Sequence, residues 1–205
     1  MPAWIDVCAL ELPGHGGRMS ASPESTIDAL VAAVLPDVKE LTLPVAIFGH
    51  SMGAILGFEL CRALDVTPLH LFASASPPPD VPPRLNYSNL TRAELIRELG
   101  RWSNTPPAVL ADEELMDLLL PIIQADLSIV DTYRGHQVAP VNCSITMLAG
   151  SADPDVTMDD ARGWGRFTTR EFPEPVVLDG GHFFLDAHAK EIQQLVARSL
   201  EAQLR

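Results

Sequence analysis

Basic residues are scarce in this chain: 14 lysines and arginines stand against 27 aspartates and glutamates, for a formal net charge of -13. Phosphate backbones are gripped by Lys and Arg, so the deficit argues against nucleic acid as a partner. It argues equally against electrostatic docking on an anionic membrane. No stretch reaches the roughly 18 uninterrupted apolar residues that a membrane span needs. No basic segment leading into an apolar one opens the chain, so no secretory signal is read there. Cysteine is sparse too. Cys8, Cys61 and Cys143 are widely spaced with no CxxC pair. They read as buried free thiols in a reducing cytoplasm, rather than as a disulfide frame or a metal site. No metal and no cofactor is expected.

What remains is ordinary for a globular protein: 47% hydrophobic and 20% charged residues over 205 positions. That length suits one domain, residues 1–205, burying roughly 70% of its unfolded surface. Strand-like and helix-like patterns alternate. Residues 4–10 (WIDVCAL) form a β-rich apolar run that ends at the turn signal Pro13-Gly14-His15-Gly16-Gly17. Residues 23–39 have helical spacing, with Ile27, Leu30, Val31, Val34 and Leu35 on one face. The run 44–48 (PVAIF) is short enough for a buried parallel strand. A helix follows at 52–64, then strands at 68–73, 142–148 and 176–178, and a helix at 186–204. This rhythm implies an α/β fold, a mostly parallel sheet with helices on both faces.

The rhythm stops between Ser76 and Pro140. Pro77-Pro78-Pro79 opens this segment, and helical patterns follow at 91–99, 112–121 and 122–133. So much helix between two strands is too long for a connecting loop. It is expected to form a helical cap, about 77–140, over one end of the sheet, where caps exclude water from active sites.

Chemistry is most concentrated at Gly49-His50-Ser51-Met52-Gly53, a G-x-S-x-G pattern between PVAIF and an apolar helical run. Such a serine sits on a strained strand-to-helix turn, and the flanking glycines let neighbouring backbone approach. The helix beginning at Met52 points N–H groups at developing negative charge, with the Met52 N–H as an oxyanion donor. A serine hydroxyl needs a base. His182, in Asp179-Gly180-Gly181-His182-Phe183-Phe184 directly after a strand, is the candidate. An orienting carboxylate is expected in Gly150-Ser151-Ala152-Asp153-Pro154-Asp155, with Asp153 preferred and Asp155 the alternative; either can instead cap the next helix. His50 is read as structural, pointing away from Ser51. His15 is read as a turn residue that could line a pocket, and His70, His136 and His188 as structural or exposed. Arg84, Arg92, Arg97 and Arg101 form a locally basic stretch, read first as a solvated helix face.

With these residues in hand, the chain resembles the type II (external, editing) thioesterases of polyketide and nonribosomal peptide synthetases, within the α/β-hydrolase superfamily. The resemblance rests on LPGHGGR at 12–18, FGHSMGAILGFEL at 48–60, LP…AD at 120–126, the G-x-x-D of 150–153, Gly163-Trp164 and GGHFFL at 180–185. It implies hydrolysis of acyl thioesters from the phosphopantetheine arm of a carrier domain. In that reaction Ser51 would be the nucleophile, His182 the base and Asp153 the orienting acid, in a protein expected to be monomeric. Such proteins open with an apolar strand and a glycine-rich loop that supplies a second oxyanion N–H. Neither is found ahead of Trp4, so a shortened start is expected, together with weakened activity. The missing strand would lie between those of 4–10 and 44–48, which would then pair directly or keep open edges.

Overall fold

The structure is a computed structural model describing residues 1–84, 86–102, 105–135 and 138–204. Four parallel strands form one sheet in the order β1-β2-β3-β4: β1 (Ile47–His50), β2 (His70–Ser74), β3 (Ser144–Gly150) and β4 (Val176–Leu178). Sequential strands are therefore neighbours, and every connection between them crosses over.

Alternation along the strands sorts the core into two layers. Leu71 and Ala73 of β2, with Ile145, Met147 and Ala149 of β3, pack on one face with Ala54, Phe58 and Cys61 of helix α2 (Met52–Ala63). Ala161 of α6 (Met158–Gly163) and the buried Trp164 complete that layer. Phe72, Leu148 and Leu178 face the other way, onto Ile192, Val196 and Leu200 of α7 (Ala189–Gln203). Helix α1 (Ile27–Lys39), capped by the Thr26 hydroxyl accepting from the Ala29 N–H, packs on α2, with Ile47 of β1 touching the same cluster.

Between β2 and β3 run α3 (Arg92–Arg101), α4 (Pro107–Leu110) and α5 (Glu113–Thr132). The pattern at 112–133 suggested two helices parted at Pro121, but α5 is continuous across it. The ring costs one helical hydrogen bond. Two apolar contacts hold the helix straight through: Met116 and Leu120 pack on Leu95 and Leu99 of α3, and Ile129 packs on α1 and α2.

Two further expectations are corrected. Residues 4–10 do not form a strand; they run as coil with Trp4, Val7 and Leu10 exposed. An extended apolar segment becomes a strand only where a ladder takes its N–H and C=O groups, and β1 is laddered to β2 alone. Phe48 on β1 is accordingly 41% exposed. For the same reason Cys8 is exposed rather than buried, whereas Cys61 and Cys143 are free and buried in one core cluster. No helix among the described residues is long and apolar enough to cross a membrane.

Candidate active site

Three loops meet beyond the carboxyl ends of the strands, where ligands bind in open parallel sheets. Ser51 follows β1 directly with φ 54° and ψ -123°, a positive φ that a non-glycine residue adopts only under strain. Its N–H is held by the Ser74 carbonyl at 2.8 Å. Gly49 explains how the turn closes: a Cβ there would stand 2.0 Å from the Gly53 carbonyl oxygen. The two flanking glycines are not equivalent, because a Cβ on Gly53 would meet nothing within 4 Å. Ser51 occupies the N-cap position of α2, but its hydroxyl makes no cap bond. It turns instead to Nε2 of His182, 3.0 Å away. The Met52 N–H opens α2 and has no carbonyl one turn earlier in the helix to bond.

His182 and Asp153 are brought together by two loops stitched along their backbones. Ser151 N–H donates to the Leu178 carbonyl (2.8 Å), Ala152 N–H to the Gly180 carbonyl (2.9 Å), and Gly180 N–H to the Ser151 hydroxyl (3.2 Å). Asp153 Oδ2 then lies 3.0 Å from His182 Nδ1, and Asp153 Oδ1 accepts the Asp155 N–H at 2.9 Å. The Asp153 side chain is fully buried and that of His182 is 7% exposed. The structure therefore brings together Ser51, His182 and Asp153, with the imidazole bridging hydroxyl and carboxylate.

Asp155, the alternative carboxylate, is turned elsewhere. Its oxygens accept from Arg101 Nη2 (3.1 and 3.3 Å) and from the Trp102 indole N–H (2.8 Å). Neither aspartate caps α6; Thr157 does, in a reciprocal box with Asp160. Ligand atoms of Asp153, Asp155 and His182 lie within 4.8 Å of one another, a spacing that suits a metal ion. Each carboxylate already has hydrogen-bond donors, and a cation there would have to displace the Arg101 guanidinium and break the His182–Asp153 contact.

His50 shares a hydrogen bond at Nδ1 with the Ser74 hydroxyl (2.9 Å). It is close to the site, with its ring 5.3 Å from that of His182. Burial first, and then the neighbouring His182, lower its pKa to about 4. His70 is buried between Thr146 and Gln203, and burial lowers its pKa to about 4 as well. His188 bonds the Asp179 carbonyl, and His136 lies outside the described residues. His15 ties its turn to α5, with Nε2 2.9 Å from Asp126 Oδ2. The arginines of the basic stretch are largely engaged within the chain: Arg84 with Asp160, Arg92 with Asp117, and Arg101 with Glu98 and Asp155. Arg97 interacts with Glu94 on the same helix.

Sequence reasoning missed Trp102. It follows α3, and its ring lies 5.8 Å from that of His182 at an interplanar angle of 26°. No local pattern marks it, because a lone aromatic after a polar amphipathic helix reads as packing. The site opens into a cleft of about 760 Å³, open solvent included, whose apolar wall comes from Ile27 of α1, Ile55 of α2, Leu127 and Val130 of α5, and Trp102.

Residues 1–204 match the thioesterase domain family. The chain belongs to that family. Among its relatives, the gramicidin S biosynthesis protein GrsT of Aneurinibacillus migulanus is 34% identical over 209 residues, covering 99% of this chain and 81% of that protein. Thioesterase PikA5 of Streptomyces venezuelae is 31% identical, over 92% of this chain and 69% of its own length. Among solved structures, the type II thioesterase YbtT of a yersiniabactin NRPS/PKS pathway superposes with a TM-score of 0.87 at 26% identity, covering 95% of this chain and 81% of that one. These likenesses bear out the expected family and the α/β-hydrolase fold, including the mostly parallel sheet.

Proposed function

We propose that this thioesterase-family chain hydrolyses acyl thioesters carried on the phosphopantetheine arms of carrier domains, as an editing enzyme of polyketide or nonribosomal peptide assembly, with Ser51, His182 and Asp153 as its catalytic triad. The observation that carries the reading is the pair of 3.0 Å contacts joining Ser51 Oγ, His182 and Asp153 at the foot of an apolar cleft. The substrate class is supported by relatives named for gramicidin S biosynthesis and for a yersiniabactin pathway.

In the reaction, His182 Nε2 takes the Ser51 proton as Oγ attacks the thioester carbonyl. Asp153 at Nδ1 keeps Nε2 free to accept and stabilises the imidazolium. Negative charge grows on the carbonyl oxygen and is met by the Met52 N–H at the positive end of α2. The carbon–sulfur bond breaks, and the pantetheine thiolate leaves with the proton from His182. Water, deprotonated by the same imidazole, attacks the acyl-serine; its proton passes through His182 to Ser51 and the free acid departs. The helical segment 77–140 acts as the cap that admits the arm and walls the acyl group. The reading takes the chain to work as a monomer.

Ser51→Ala should abolish release of an acyl group from a loaded carrier domain and abolish labelling by a fluorophosphonate. Retained turnover would sink the scheme. Equal turnover of acyl-carrier thioesters and simple aryl esters would replace the carrier assignment with that of a generic acyl hydrolase.

A further inference from the structure

We propose that Trp102, held by Asp155, is a positioning residue for His182, so that docking of α3 and ordering of the base are one event. The inference rests on the proposed role of His182 as the base. Three ring contacts surround that imidazole among the described residues. His50 and Phe183 approach edge-on, at 60° and 86°; Trp102 alone lies nearly face to face, at 26° and 5.8 Å. An indole face at that distance limits the tilt of the ring. It also attracts a cation, and in the proposed reaction His182 becomes one as it takes the Ser51 proton. Interaction with the imidazolium is thus stronger in the transition state than in the ground state, the condition for raising kcat rather than lowering KM.

Asp155 makes the placement reciprocal. Its carboxylate accepts the Trp102 indole N–H and the Arg101 guanidinium from the end of α3, while its own backbone N–H donates to Asp153 Oδ1. One residue therefore fixes both the tryptophan on one ring surface and the carboxylate at Nδ1. Tyr87, whose ring lies 5.6 Å from Trp102, adds a second support from the same helical segment. The acid that failed to orient the imidazole directly is assigned the task of holding what does.

The test is steady-state hydrolysis of a short acyl-pantetheine thioester by the full chain, with Trp102→Ala, Trp102→Phe and Asp155→Asn. Trp102→Ala should lower kcat about tenfold, in addition to whatever KM gains from losing its share of the cleft wall. Trp102→Phe, which keeps a π face, should recover most of that loss. Asp155→Asn should fall between them. Unchanged kcat in Trp102→Ala, or equal losses in the Ala and Phe variants, would overturn the proposal. A second readout does not depend on turnover. His182→Ala would open to water the indole face that the imidazole covers, so tryptophan emission should shift to the red, and should not do so in a Trp102→Phe background. No change on His182→Ala would overturn the proposal even if hydrolysis proved to have another origin. Hydrolysis that persists without Ser51 and His182 would instead count against the triad.

Discussion

Gly150, the last residue of β3, lies directly beneath the loop that carries His182: a Cβ at position 150 would stand 2.5 Å from the Gly181 carbonyl oxygen and 2.7 Å from that of Gly180. The acid loop and the base loop are therefore in backbone contact. Gly150→Ala would have to push the two apart, moving His182 relative to Asp153 and Ser51. Displacements near 1 Å cost on the order of 10²-fold in rate. The expected result is a kcat/KM lowered by about that factor in a protein that still melts cooperatively, read by thioester kinetics beside a thermal scan.

The glycines of the serine turn should behave oppositely. Gly49→Ala collides with the Gly53 carbonyl at 2.0 Å, backbone against backbone, and should leave little folded protein. Gly53→Ala meets open space within α2 and removes a flexible residue from a helix. It should be neutral, or stabilising by up to about 1 kcal/mol. Urea unfolding of the two variants checks the contrast.

The two buried imidazoles set a pH dependence. His50 and His70 are each held near a pKa of about 4, against an ordinary value of 6.5 once unfolded. Between those values the unfolded chain binds the protons and the folded chain does not, so stability is full above pH 6.5 and falls as pH drops towards 4. Each ring adds up to ~1.4 kcal/mol per pH unit to that slope. Urea midpoints from pH 7 to 4 should show it. His70→Gln should remove about one proton of the dependence, and an unchanged slope would contradict the assignment.

Trp164 is fully buried and its indole N–H donates to the Ser76 carbonyl (2.8 Å), at the point where the chain leaves β2 for the helical segment. Trp164→Phe leaves that carbonyl without its donor and opens a void beside Phe58. A loss of about 2–4 kcal/mol is expected in urea unfolding.

The strand-to-helix turn at Ser51 was legible because local sterics write it: only glycine at 49 permits the backbone contact, and the apolar runs on either side declare strand and helix. Helical spacing likewise announced α1 and α2, and short apolar runs announced β2, β3 and β4. Pro121 misled because its cost is local whereas the burial of Met116, Leu120 and Ile129 that overrides it comes from α3, α1 and α2. Residues 4–10 misled for the converse reason, since their composition suits a strand but no ladder receives them.

Residue types and their spacing determined the elements, the parallel sheet, and the serine, histidine and aspartates from which a site is built. Tertiary structure alone decided that Asp153 rather than Asp155 faces His182, that His50 packs against the same ring, and that Trp102 covers it. Periodicity is a property of neighbours along the chain. Which carboxylate reaches an imidazole 29 residues away, and which indole lies over it, depends on how loops and helices distant in sequence dock, and the free energy of that docking is spread over contacts that no local pattern records.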